Sequence, residues 1–352
     1  MTVALYGPGG FFVAGAGPAA HFRTSVHASG VFAAALARQL TALDEALGRP
    51  ARLDVVDVGA GRGELLRALL AQAPPAVADR IRPVAVERAA RPPDLPPEID
   101  WRPEIPARIT GLLLATEWLD NVPLDVATDT PDGWRLLLVD PATGHEFPGP
   151  PPSPADTAWL TRWWPVPSPP ARTFGEFATG PDHAADPPVT GAGHGGPGGW
   201  RVEIGRERDE AWADAVGRIE RGAALAVDYG HLRDARPMDG TLTGYRDGRQ
   251  VPPVPDGSCD VTAHVAMDSV AAAGERVARC AYTLVSQRKA LRALGADGGR
   301  PPLALAARDP AGYLRALAAA SAVAELTDPA GLGGHLWLWQ PVGVDLDPLM
   351  AR

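Results

Sequence analysis

The chain has 352 residues, 45% of them apolar, and a formal charge of −9; that length and apolar content suit one large core or two smaller ones, so a catalytic domain with an insertion or cap is expected. The acidic balance, with no basic block, argues against the dense phosphate contacts that dominate nucleic-acid affinity. Cys259 and Cys280 are the two cysteines, with no C-x-x-C or Cys/His cluster to suggest a disulfide framework or metal site; a reduced cytoplasm fits, and neither an export signal nor an apolar run of membrane-spanning length is read.

From Ser29 the positions Phe32, Leu36, Leu40, Leu43 and Leu47 step by three and four. That is one face of a helix, with Ser29 able to cap its start and Gly48 its end. The apolar runs LDVVDV (53–58), RPVAVE (82–87), GLLLAT (111–116) and AALAVDY (223–229) are predicted as buried strands of a parallel sheet. Their alternation with helical or loop segments predicts an α/β fold with a doubly wound, mostly parallel sheet. HLWLWQPV (335–342) has no helix after it and is predicted as a terminal strand, open to antiparallel pairing.

Between the third and fourth strands the character changes. Residues 141–200 contain PGPPPSP, PVPSPP and GAGHGGPGG, a glycine and proline density expected to sustain neither helix nor central strand. The chain is therefore divided into a main domain, 1–140 with 201–352, and an insertion or cap at 141–200. Trp159, Trp163 and Trp164 sit within the insertion at helical spacing, and anchoring it to the core is favoured over stacking on a substrate. Residues 237–260 are expected to form a second turn-rich loop near the active site.

The segment LDVVDVGAGRGELLRALL (53–70) carries the chemistry. A dinucleotide turn would place a third glycine three residues after the second, but that position is Glu64, whose carboxylate would repel a pyrophosphate at the helix start. No G-K-S/T follows either. What remains is D-x-G-x-G-x-G over Asp57, Gly59, Gly61 and Gly63. Such a turn suits S-adenosylmethionine: the glycines let main chain approach the ligand, and the acid accepts hydrogen bonds from its ammonium, directly or through water. Glu87, ending the second strand, is the candidate for the ribose hydroxyls.

Several segments then resemble one family. These are AHFRTSVHASGVFA (20–33), TEWLDNVPLDV (116–126), ALAVDYG (224–230), GTLTGYRDGRQV (240–251) with DVTAHVAMDSVA (260–271), and AELTDPAGLGGHLWLWQPV (324–342). Together they resemble the MidA-type class I methyltransferases, which include a mitochondrial protein arginine methyltransferase that assists respiratory complex I assembly. The resemblance covers nearly the whole chain apart from the proline-glycine insertion. It implies a Rossmann-like class I methyltransferase fold, S-adenosylmethionine as cofactor, and N-methylation of arginine in a protein partner. The departures fall on His21 and His27, where the family carries Asp and Glu, and on Thr116, where it carries Asn.

Methyl transfer is an in-line displacement in which positioning counts most. Thr116, Glu117 and Asp120 follow the strand beside the glycine turn, at the end of the sheet where such folds place their reaction centre. Two carboxylates three residues apart could clamp a guanidinium through charge-assisted hydrogen bonds; against that stands a solvated loop in which Asp120 is a turn former. His264 is a candidate substrate contact or general base. Asp228, Tyr229 and His231 could reach the same cleft. The N-terminal arm, with Thr24 and His27 as cofactor contacts, could close over the ligand, or could serve only to cap the helix from Ser29.

The expected catalytic residues are thus Glu117, Asp120 and His264. The expected cofactor residues are Asp57, Gly59, Gly61, Gly63, Glu87, Thr116, Thr24 and His27, and no metal is expected. A protein substrate and a homodimer are left open as partners, with no nucleic acid and no membrane. A small-molecule methyltransferase with the insertion as lid, and a non-catalytic assembly module that keeps the cofactor fold, stand as alternatives.

Overall fold

The computed structural model describes residues 1–14, 25, 30–141, 143–164, 200–296 and 298–346. Its centre is a seven-stranded sheet ordered β15-β16-β9-β4-β1-β2-β3. Here β1 is Leu53–Val58, β2 Ile81–Val86, β3 Asp100–Arg102, β4 Ile109–Thr116, β9 Ile219–Asp228, β15 Thr283–Ser286 and β16 Leu336–Val342. The strands from β3 to β9 run parallel; β16 is antiparallel to both β9 and β15. All four central runs read from the sequence are therefore strands, and the closing apolar block is the antiparallel terminal strand.

Both sheet faces are covered, and the period of two in a strand sorts its side chains between them. In β4, Leu112 and Leu114 join the cluster under helix Gly30–Ala46, whereas Leu113 and Ala115 join the opposite cluster with Trp212, Val216 and Val270. Phe32, Leu36, Leu40 and Leu43 are fully buried on the helix face that the spacing defines, each side chain contributing about 1.5–3 kcal/mol by leaving water. Gly48 has φ +81° just after that helix, as the expected stop requires.

The segment expected to be irregular is largely ordered up to Trp164. β5 (Asp125–Thr130), β6 (Gly133–Val139), β7 (Glu146–Pro148) and β8 (Arg201–Ile204) form a second sheet in the order β7-β6-β5-β8. Helix Pro154–Trp163 follows β7. Proline does not break this helix because Pro154 occupies its first turn, where no N–H is needed, and Ser153 Oγ accepts from Asp156 N at 3.2 Å as the cap. Trp159 and Trp164 are buried with Val202 and Ile204, the anchoring role expected of them. Residues 165–199 lie outside the described residues.

The stretch 237–260 is likewise more regular than a loop. β11 (Thr243–Arg246) pairs antiparallel with β12 (Arg249–Val251) and with β13 (Asp260–Thr262), while β10 (Gly230–His231) pairs with β14 (Val265–Ala266). The short helices Thr2–Tyr6 and Phe11–Ala14 pack on this unit through Leu5, Phe11, Cys259 and Val261. Among the described residues no helix is long and apolar enough to cross a membrane.

Candidate active site

The chain leaves β1 toward β2 and β3, then crosses back to β4 and β9, so a crevice opens beyond the carboxyl ends of β1 and β4. A cleft of about 990 Å³ occupies that place, lined by residues following β1, β2, β4 and β9 and by the N-terminal Tyr6 and Phe12.

On its β1 side, Gly59, Gly61 and Gly63 have φ of +73°, +57° and +81°, a left-handed path that L side chains seldom follow. A Cβ on Gly59 would lie 3.1 Å from Trp118 Cδ1 across the crevice, so turn and β4 loop approach closely. Glu87 Oε2 accepts from Gly61 N at 3.1 Å, and its Oε1 accepts from Arg88 N at 2.7 Å and Ala89 N at 3.2 Å. Asp57 is 2% exposed, and its Oδ1 has no hydrogen-bond partner among the described residues. Burial, reinforced by the charges of Glu64 and Glu87, pushes the Asp57 carboxyl up to about 8. An acid so placed is poised to receive a cation.

On the β4 side, Thr116 and Glu117 are half-buried and line the cleft. Glu117 takes φ +50°, an uncommon conformation for a non-glycine residue, and its Oε1 accepts from Ser25 N at 3.3 Å. Ser25 is in turn tied by its hydroxyl to Gln287 at 3.2 Å, so this point of the N-terminal arm reaches the site. Burial, with Asp120 adding to it and the Ser25 N–H opposing, pushes Glu117 up to about 8. Thr24, His27 and His21 lie outside the described residues, as does Ser29.

Asp120 is buried, in a short turn, Leu119–Asn121. Its Oδ2 accepts from Tyr229 Oη and, at 2.8 Å, from Thr262 Oγ1, while Oδ1 accepts from Asn121 Nδ2 at 3.0 Å. Its two oxygens are thus already occupied, unlike the open clamp arm expected from the sequence. Asp228 Oδ2 receives the N–H groups of Leu119 at 3.0 Å and Asp120 at 3.2 Å, which fixes the turn from below. His264 is exposed at the cleft, its ring edge-on to Tyr229 at 5.2 Å, and partial desolvation with the Arg208 charge lowers its pKa. His231 is not in the lining: it is buried, edge-on to Trp164 and hydrogen-bonded to Arg236 at 2.7 Å.

Sequence reasoning missed Arg208, which is 1% exposed. Its guanidinium donates to the carbonyls of Val122 at 3.2 Å, Ala263 at 2.9 Å, His264 at 2.9 Å and Asp120. One cation thereby joins the loop after β4 to the segment after β13. Tyr6, Arg88, Trp118 and Asp260 were also missed as lining groups. The Arg88 guanidinium stacks 4.5 Å above the Tyr6 ring, and Tyr6 Oη donates to Asn121 O at 3.1 Å. Trp118 and Asp260 lie in two of the segments that carry the resemblance, whereas no local motif marks Tyr6, Arg88 or Arg208.

Residues 35–285 match the family model described as "Putative S-adenosyl-L-methionine-dependent methyltransferase". Among solved structures, a COG1565 superfamily member from Burkholderia thailandensis bound to S-adenosyl-homocysteine aligns with TM-score 0.76 at 23% identity, over 100% of this chain and 89% of that one. An uncharacterized COG1565 superfamily protein from the same organism aligns with TM-score 0.71 at 24% identity, over 100% and 88%. Both likenesses show a shared fold. No curated protein matches the chain.

Proposed function

Because the chain belongs to the S-adenosyl-L-methionine-dependent methyltransferase family, we propose that it methylates a nitrogen of an arginine side chain in a protein substrate. The observation that carries this reading is the carboxyl content of the cleft, in which Asp57, Glu117 and Asp260 are held largely protonated near neutral pH and ionise as a cation arrives. Asp57, Glu64, Glu87, Glu104, Glu117, Asp120, Asp214 and Asp260 line the cleft, against Arg88 and Arg218. An acid-rich cleft concentrates cations, and both the sulfonium cofactor and a guanidinium are cations. The MidA-type resemblance supports the same assignment, and the S-adenosyl-homocysteine bound to the Burkholderia protein, the demethylated product of the cofactor, supports the cofactor.

The residues present fit the cofactor. Asp57, with its partnerless buried oxygen, would hold the ammonium; Glu87 would take the ribose hydroxyls; and the Gly59–Gly63 main chain would lie against the ligand. Bound S-adenosylmethionine supplies a methyl group on a positively charged sulfur, open to in-line attack by a nucleophile. Glu117 orients the substrate nitrogen by accepting its N–H. A carboxyl held at about 8 exchanges protons near neutral pH, so Glu117 also suits the proton that the nitrogen sheds during or after attack. Asp120 acts through others: with both oxygens bonded, it holds Tyr229 at the cleft wall and the buried Thr262 behind it.

Incubation of the protein with cofactor tritiated in the methyl group and a host lysate tests the assignment. The expected result is a discrete labelled protein band whose hydrolysate contains methylated arginine. Label confined to small molecules, or carried on lysine, would overturn it.

A further inference from the structure

Six of the eight acids that line the cleft fall into two groups. Glu64 and Glu87 act on Asp57 at the glycine turn, whereas Asp120 acts on Glu117 and Asp260 on the β4 side. The first group is accounted for by the cofactor. In the second, Asp120 is fully hydrogen-bonded and Glu117 takes a main-chain N–H, which leaves Asp260 without a role.

Asp260 opens β13 and is 4% exposed, yet it lines the cleft. Its Oδ1 is shielded from solvent and has no hydrogen-bond partner among the described residues. Buried carboxylate oxygens are rarely left this way, because each lost water bond goes uncompensated. The backbone beneath it is rigid: Asp260 pairs with Tyr245 in the β11–β13 ladder, and its neighbours Cys259 and Val261 are seated in the apolar cluster with Leu5 and Phe11. Tyr245, its ladder partner, lines the cleft with it, which sets an aromatic residue beside a carboxylate on the cleft wall, the kind of pairing that binds flat guanidinium groups. Resting on the arginine reading above, we infer that Asp260 is the carboxylate that recognises the cationic side chain presented for methylation.

A group held neutral by burial must ionise when the cation arrives. Burial, with Asp120 adding to it, pushes Asp260 up to about 8, so binding at neutral pH should release a proton that a purely structural aspartate would not.

The test uses the full chain saturated with S-adenosyl-homocysteine and titrated by calorimetry with N-acetyl-arginine amide, N-acetyl-lysine amide and the neutral isostere N-acetyl-citrulline amide. The wild type is expected to prefer a cationic probe over citrulline and to release a proton on binding it. In D260N that preference should weaken by roughly 30-fold, as when one partner of a buried charge pair is removed, with the affinity for S-adenosyl-homocysteine unchanged. D260E should retain the preference for charge at reduced affinity. Preference for lysine over arginine, lost in D260N, would uphold Asp260 and overturn the arginine assignment. Arginine binding equal in D260N and wild type would overturn the role of Asp260 and leave the arginine assignment standing. Citrulline bound as tightly as the cations, or no probe bound, would also overturn the inference.

Discussion

Glu87 Oε2 accepts the main-chain N–H of Gly61 at 3.1 Å, which ties the end of β2 to the glycine turn after β1. The same carboxylate is the group proposed to meet the ribose, so its removal costs both a strut and a ligand contact. Glu87→Ala is expected to weaken S-adenosyl-homocysteine binding by roughly tenfold to a hundredfold, the loss typical of a charge-assisted hydrogen bond. Calorimetry checks this; an unchanged dissociation constant would remove Glu87 from the binding site.

Gly61→Val places a branched side chain in a left-handed turn at φ +57°, where β-branched residues are disfavoured and where the ligand must approach main chain. Cofactor binding should be lost while the far-ultraviolet circular dichroism spectrum stays that of the wild type. Retained binding would mean the ligand does not lie on this turn.

The Asp57 carboxyl at about 8 makes cofactor affinity depend on pH. The ionised form holds an ammonium, so below pH 8 binding must first expel a proton, and affinity rises with pH toward about 8 until the ligand's own ammonium begins to lose its proton. Without ligand the sign reverses. A raised carboxyl pKa in the folded state contributes stability that is fully present below the unfolded value of about 4 and is lost as pH rises through about 8, and Glu117 and Asp260, also at about 8, add to the trend. The free protein's melting temperature should therefore fall from pH 5 to 8 while the shift produced by cofactor grows. Asp57→Asn should shrink both slopes; slopes unchanged in that variant would assign the effect elsewhere.

Tyr229→Phe removes the hydroxyl that donates to Asp120 and pairs with Thr262. Because Tyr229 lines the cleft on the β4 side, turnover is expected to fall by roughly tenfold to a hundredfold with S-adenosyl-homocysteine affinity intact. A matching loss of cofactor binding would mean the network serves the ligand, not the reaction.

Arg208→Met keeps an unbranched stem but leaves the carbonyls of Asp120, Val122, Ala263 and His264 without their shared donor. The cost is about 3–5 kcal/mol, as for breaking a buried charged network, read from urea unfolding. A loss below about 1 kcal/mol, the worth of one ordinary hydrogen bond, would mean that water replaces the guanidinium.

What could be read from the chain in advance follows from how local each signal is. Asp57 and the glycines after it are contiguous, and their order alone separates this turn from a dinucleotide turn. The strands β1, β4 and β9 are buried on both faces over most of their length, so each appears as a mainly apolar run. β5 and β6 do not: DVATDT and GWRLLLV are partly exposed and flanked by turn residues, and although they pair with each other across a short turn, the other partner of β5, β8, comes from a distant segment. Helix Pro154–Trp163 was hidden because its prolines read as breakers, although Ser153, Pro154 and Asp156 together form a helix start. Arg208 and Asp260 were illegible for another reason. An arginine in RERDE looks like any solvated helix charge until the carbonyls it serves, from two loops far apart in sequence, are brought beside it.

That convergence fixes when the cleft can exist. The loop after β4 is made early in synthesis, but its carbonyls stay untied until Arg208 has left the ribosome, and the segment after β13 is joined to them only when residues 263 and 264 follow. A nascent chain can therefore stack its first strands long before it offers a finished crevice, and a polypeptide cut short ahead of that point would carry the glycine turn yet lack the wall that faces it.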